Sequence, residues 1–308
     1  MFKFQLLRQL RRLAALFFLL AVTACFLDFT GQILRWFGWT VKLQLMPAAL
    51  ALSVAAAVIL AVTLVFGRVY CSVVCPMGIL QDIAFFLRRT VGRLFPARRS
   101  ATGRARSRAL FVVRVSIAVV FFSGGFLGLH FLWLEPYGMY GRMTASLAAP
   151  PVRACGNRLV EWAGERIDRA SDQSAQERQR QSWTERQLDA VAAWAEEHVQ
   201  TVEVVAPPVC MVALSWSLLI LILALAVWRG RVWCNTICPV GTALGCLSRV
   251  SLLRPKIDPA KCVKCRMCEK VCKTQSIDVE RGAIDLTTCV ACFDCGAVCK
   301  KGALKWSR

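Results

Sequence analysis

Apolar residues along this chain gather into four long stretches separated by arginine-rich segments, a pattern that predicts membrane-spanning helices. After Lys3, Arg8, Arg11 and Arg12, the first run extends from Leu13 to about Gly31. A secretory signal starts similarly, but this run is longer than a signal's apolar core and no small-x-small site closes it, so it predicts a span. A short loop with Trp36 and Trp39, residues suited to the lipid–water boundary, leads to a second span, Met46 to Phe66. An amphipathic stretch, Ile79 to Leu94, precedes a third span, Ala109 to Leu134, whose Arg114 can snorkel from near its start. Val209 to Trp228 is the fourth.

Between the third and fourth spans, Glu135 to Ala206 has a different character. Trp162, Ile167, Leu188, Val191 and Trp194 predict two amphipathic helices joined by a Gln/Ser/Arg-rich link, after a turn-rich opening from Glu135 to Arg142. Residues 254–261 read as a short linker, and Ser276 to Asp285 alternates around Gly282 as a hairpin should. The expected architecture is an α-helical membrane protein with four transmembrane helices plus a small α+β domain. The domains are 1–254, with an insertion at about 135–206, and 255–308.

Composition agrees: 56% of the 308 residues are hydrophobic and mean hydropathy is +0.50. The net charge of +20 would suggest nucleic acid in a soluble protein, but no recognition module is present and the charge flanks membrane spans. The N-terminus, 67–108 and 229–308 carry 4, 9 and 15 basic residues, against 2 in the short loop and 8 in the insertion, where 11 acids outweigh them. Positive-inside orientation predicts a multi-pass protein of the bacterial cytoplasmic (inner) membrane. Its termini would be cytoplasmic and residues 135–206 periplasmic.

Half of the 16 cysteines lie in the last fifty residues. Cys262, Cys265, Cys268 and Cys272 read C-x2-C-x2-C-x3-C, and Cys289, Cys292, Cys295 and Cys299 repeat it. Zinc ribbons pair two C-x2-C units across a longer gap and have no use for a third cysteine at the same step. Many ligand-type thiols place this domain in a reducing compartment. Roughly residues 255–305 resemble the bacterial dicluster ferredoxins. In those, the fourth cysteine of a run ligates the other cube. The resemblance implies two [4Fe–4S] clusters, one held by Cys262, Cys265, Cys268 and Cys299, the other by Cys289, Cys292, Cys295 and Cys272. Lys273 and Lys300 stand where that family usually has proline, and two cations beside the clusters should favour their reduced state.

A second repeat lies upstream. Gly67-Arg68-Val69-Tyr70-Cys71-Ser72-Val73-Val74-Cys75-Pro76-Met77-Gly78 and Gly230-Arg231-Val232-Trp233-Cys234-Asn235-Thr236-Ile237-Cys238-Pro239-Val240-Gly241 agree at seven of twelve positions, each copy following a span. Proline disfavours helix at the cysteine before it, so each motif predicts a break between a span and a surface helix, in two pseudo-symmetric halves. Four spans, two C-x3-C-P motifs and a C-terminal dicluster domain resemble the NapH-type membrane ferredoxins, whose core is shared with NosR-like and CcoG-like proteins. The 145–206 insertion lies outside that pattern.

The resemblance implies an electron-transfer protein passing electrons between the quinone pool (menaquinone or ubiquinone) and a partner oxidoreductase, and a place as the quinol-oxidising subunit of a larger complex. The alternative is a metal-reducing or cofactor-assembly factor of the CcoG-like type. An oxygen sensor lacks any output module here. For Cys71, Cys75, Cys234 and Cys238 three readings stand: one metal or cluster site, two redox-active thiol pairs, or packing at a tight break. Cys25, Cys155, Cys210 and Cys246 follow no spacing and read as packing residues. Haem is not expected, since the only histidines are His130 and His198 and no C-x2-C-H occurs. His130 is placed either to touch a quinone or to sit at the interface with water. Arg68 and Arg231 read as anchors to lipid phosphates, as partners of cluster charge, or as snorkelling side chains.

Overall fold

The computed structural model describes residues 2–28, 31–50, 53–91, 108–126, 135–171, 182–199 and 207–307. They gather into two compact units: residues 1–22, 39–140 and 217–308 in one, 23–38 and 141–216 in the other. The chain is mostly helical.

The first helix runs from Phe2 to Leu27, so the basic N-terminus is part of it rather than a prelude. Lysine and arginine are good helix formers, and charge alone does not end a helix. Its apolar window, Phe4–Leu27, and the helix Val209–Arg229 are each long and apolar enough to cross a membrane. The expected second span is broken: Leu45–Leu50 and Val54–Phe66 are separate helices, with Ser53 extended at φ −81°, ψ 155°. Val54–Phe66 has 13 residues, about 20 Å of rise, less than a bilayer core of about 30 Å. The third apolar helix is described as Arg108–Phe126, and the remainder of that expected span, with His130, lies outside the described residues. Among the described residues, then, two of the four expected spans have full spanning length and the others are shorter apolar helices.

The Trp36/Trp39 loop is instead an amphipathic helix, Gln32–Lys42, started by the Asp28 carboxylate, which accepts from the Gly31 and Leu34 amides at 3.0 and 2.7 Å. The expected turns at 135–142 are likewise helix, Pro136–Met143. Proline suits a first helical turn, and the Glu135 carboxylate accepts from the amides of Tyr137 and Gly138. One π-helical turn, Thr144–Ala148, leads into the helix Ala149–Ser171.

That helix packs on Trp183–His198 as the two-helix insertion predicts. Its seam is smaller than expected: Ala163, Ala192, Ala195 and Val199 are buried, flanked by Val160, Trp162 and Ile167. Leu188, Val191 and Trp194 turn outward, because alanine lets the two backbones approach and leaves the larger side chains no room between them. Arg166 and Asp189 bridge the pair at 3.1 Å.

The C-terminal residues form a small α+β unit. The expected linker is its edge strand, β1 (Arg254–Ile257), antiparallel to β4 (Leu304–Ser307) with Pro255 opposite Trp306. The hairpin is present as β2 (Ile277–Asp278) on β3 (Ala283–Ile284). Two five-residue helices, Met267–Val271 and Asp294–Val298, pack on each other, one inside each cysteine run.

The helix Trp183–His198 starts from a capping box in which Ser182 and Glu185 exchange side-chain and backbone bonds. Ser182→Ala should cost that helical hairpin about 1 kcal/mol, read by chemical unfolding with Trp183 and Trp194 as fluorophores.

Candidate functional site

The duplicated motif folds the same way twice. Gly67 and Gly230 end their helices at φ +79° and +76°, a region open to glycine without strain. The amides of Cys75 and Cys238 return to the carbonyls of Tyr70 and Trp233, each at 3.1 Å. Pro76 and Pro239 then open the helices Pro76–Val91 and Pro239–Leu247. Cysteine serves as the cap: the Gly241 amide donates to Cys238 Sγ at 3.3 Å, and the Gly78 amide likewise faces Cys75.

The two copies interlock. Arg68 of the first donates to the Cys234 carbonyl of the second at 3.3 Å, and Arg231 of the second donates to the Cys71 carbonyl of the first at 2.5 Å. Both arginines are 0% exposed. A Cβ on Gly78 would strike the Cys71 carbonyl and crowd Arg231, and one on Gly241 would strike the Cys234 carbonyl and Arg68. The repeat therefore has a mechanical reason: each glycine clears the way for the other copy's arginine. Neither arginine snorkels or anchors to lipid. Arg68 also donates to Asn235 Oδ1 at 3.1 Å, the Thr287 carbonyl at 2.8 Å and, distantly, Cys71 Sγ at 3.8 Å.

Asp82 ties the rest together. It receives Arg231 Nε at 2.5 Å, Arg11 Nη1 at 3.3 Å and the Lys273 ammonium, joining the first helix, both motifs and the cysteine-rich unit. Burial alone would raise its pKa. The attraction of Arg231 first, then Lys273 and Arg11, overrides that and holds the carboxyl far below the usual carboxylate range. Lys273 also faces Asp294 at 3.7 Å, which takes Arg12 at 3.4 Å. The Lys273 carbonyl accepts from the Arg231 amide at 2.9 Å. Lys273 is thus a paired, buried strut rather than a bare cation beside a cluster, while Lys300 stays exposed.

Cys71, Cys75, Cys234 and Cys238 lie together at 3–5% exposure. Burial first, then the neighbouring Cys234 and Cys71, pushes Cys75 well up, and burial with Cys234 and Cys75 does the same to Cys238. The Gln81 amide donates to Cys234 Sγ at 3.1 Å. All 16 cysteines are free thiols, and among the described residues no three His, Cys, Asp or Glu side chains converge tightly enough to hold a single metal ion. Cys155, Cys210 and Cys246 are exposed rather than packed.

In the C-terminal unit, Cys272 from the first run sits with the thiols of the second. Burial pushes Cys289 up to about 12, with Cys292 and Cys272 adding to it. Burial likewise raises Cys295, helped by Cys292, Cys289 and Cys272. Two residues flank the central cysteine of each run in left-handed backbone: Lys264 and Arg266 at φ 51° and 55°, Ala291 and Phe293 at 46° and 61°. Non-glycine residues held there cost about 1–3 kcal/mol each. The same pair of left-handed residues bends each loop around its second cysteine. A four-iron cube is a wider target than a single ion, and iron would supply the positive charge these reluctant thiols need to ionise. The residues fit such a cluster.

Comparison with known proteins agrees. A family described as a 4Fe-4S binding domain matches residues 48–93 and 211–259, one motif copy in each segment, and a second family of that description matches 254–277. The ferredoxin-type protein NapH of Haemophilus influenzae is 26% identical over 228 residues, 74% of this chain and 55% of its own length. An uncharacterized protein of Methanocaldococcus jannaschii is 40% identical over 62 residues, 20% of this chain and 25% of its own length. The matches thus span about half and a quarter of these relatives. No solved structure matches the chain.

Asp82→Asn strands buried Arg231 and Lys273, so it should destabilise the protein by about 3 to 5 kcal/mol at pH 7. A carboxyl whose pKa is depressed by folding contributes stability above its unfolded value of about 3.9 and loses it as pH falls through the folded value. Thermal unfolding should therefore show the gap between the native protein and Asp82→Asn closing as pH drops below about 4.

Proposed function

We propose that this chain is a NapH-type 4Fe-4S ferredoxin protein, a reading that its motifs, matched domains and NapH relative support, and that it carries electrons between the membrane quinone pool and a partner oxidoreductase. Two [4Fe–4S] clusters serve as its one-electron carriers, one on Cys262, Cys265, Cys268 and Cys299, the other on Cys272, Cys289, Cys292 and Cys295. The clusters and both termini lie on the cytoplasmic side of the bacterial inner membrane, residues 135–206 on the periplasmic side.

One observation carries this reading. Arg68 reaches from Cys71 Sγ at 3.8 Å to the Thr287 carbonyl at 2.8 Å, two residues before Cys289. A buried side chain thereby links the duplicated motif to the loop of the inner cysteine set. The Arg231 backbone amide makes a second link, to the carbonyl of Lys273, the residue after Cys272, at 2.9 Å. The chain's residues hold the inner thiols against the motif, exclude water from between them and fix the spacing that electron transfer requires. The motif thiols then lie beside the route from the membrane, where quinol would give up its electrons.

Prepared anaerobically in detergent, the protein should be brown and hold about eight iron atoms, falling to about four in Cys289→Ser. A short-chain quinol should bleach the iron–sulfur absorbance. Stoichiometric zinc without iron contradicts the cluster assignment. Reduction of a metal ion by the protein with no response to quinol selects the metal-reducing function instead.

A further inference from the structure

The two cysteine runs share a spacing but not an environment. Val263 and Val290 hold the same place after the first cysteine of each run, yet Val263 is 61% exposed and Val290 1%. The next residues differ likewise: Lys264 is exposed and Ala291 buried. Of the central cysteines, Cys265 is exposed whereas Cys292 is partly covered. The second loop is turned into the interlock, through Thr287 and Arg68, and the first is turned to solvent. Met267, 44% exposed, joins Val263 as an apolar centre around Cys265. Lys261, Lys264, Arg266 and Lys270 lie along the same loop, all exposed, and Lys300 follows Cys299, the fourth cysteine assigned to this set. Of the acids nearby, Glu280 pairs with Arg266 and Asp258 with Lys305, while the half-buried Glu269 accepts from the Val279 amide at 2.6 Å, so the lysines at 261, 264, 270 and 300 outweigh it.

We propose that the loop Lys261–Lys270 is the electron port of the protein, a docking surface for a redox partner that presents an acidic rim around its own cofactor. This rests on the electron-carrier reading above. A small apolar centre lets a partner approach the exposed ligand closely, and a cationic rim orients and accelerates the encounter of an acidic surface without demanding tight affinity. One electron leaves the reduced protein and converts a partner's centre to its reduced form. No bond is made or broken.

The test uses the full chain in detergent, reduced anaerobically with dithionite, so that a failure of quinol oxidation leaves it intact. Two one-electron haem acceptors serve as probes, the acidic cytochrome b5 and the basic cytochrome c, each followed from ferric to ferrous by stopped flow. The native protein should reduce the acidic probe faster, at a rate that falls steeply with added salt. The variant Lys261→Glu/Lys264→Glu/Lys270→Glu should slow that rate by at least about tenfold and remove its salt dependence, while speeding reduction of the basic probe. Its reduced-state EPR spectrum should be unchanged. A control with the same change in net charge, Arg158→Glu/Arg169→Glu/Arg186→Glu on the helical hairpin, should have little effect. Equal effects of the two variants, or no effect of the first on either probe, would overturn the port.

Discussion

A guanidinium sealed from water must spend its donors on protein acceptors, because an unpaired buried charge costs several kcal/mol. Arg68 and Arg231 are both sealed, and each sends one nitrogen across the repeat to the other copy's first cysteine carbonyl, although Arg68 Nε and Arg231 Nη2 find no acceptor among the described residues. The two half-motifs hence brace each other. The glycines at 78 and 241, the helix breaks at Gly67 and Gly230 and the proline-started helices follow from that one demand for close approach.

The exchange is reciprocal but its surroundings are not. Arg231 leans on Asp82, which also gathers Arg11 and Lys273, whereas Arg68 leans on Asn235 and the Thr287 carbonyl. Both branches end in the C-terminal unit, one beside Cys272 and the other beside Cys289. A symmetric framework thus meets the C-terminal unit beside Cys272 and Cys289 and leaves the loop around Cys265 exposed. Such polarity suits a carrier that takes electrons on one side and delivers them on the other, and a soluble ferredoxin has no need of it.

Much of this was legible in the sequence. Ligand-type cysteines are written in their spacing, and the 4Fe-4S families that match the chain agree with that chemistry. The repeat was equally plain, and it implied facing halves. Of the readings open for its arginines, lipid anchoring and snorkelling fail on their burial, because position beside a span says nothing about which way a long side chain turns. Asp82 left a signal, as the lone acid among nine arginines from Gly67 to Arg108, yet its three partners come from distant parts of the chain. Strand β1 was taken for a linker because its pairing partner lies some fifty residues on. The break at Ser53 was hidden because an apolar run carries no sign of where its backbone turns.

The most direct measurement is a high-resolution cryo-EM map of the anaerobically prepared protein in lipid nanodiscs. Density for Arg68 should cross to the Cys234 carbonyl and density for Arg231 to the Cys71 carbonyl and Asp82, with both side chains shut off from lipid. Arginines extended into the headgroup layer, with the two motifs apart, would contradict the interlock and the electron route built on it.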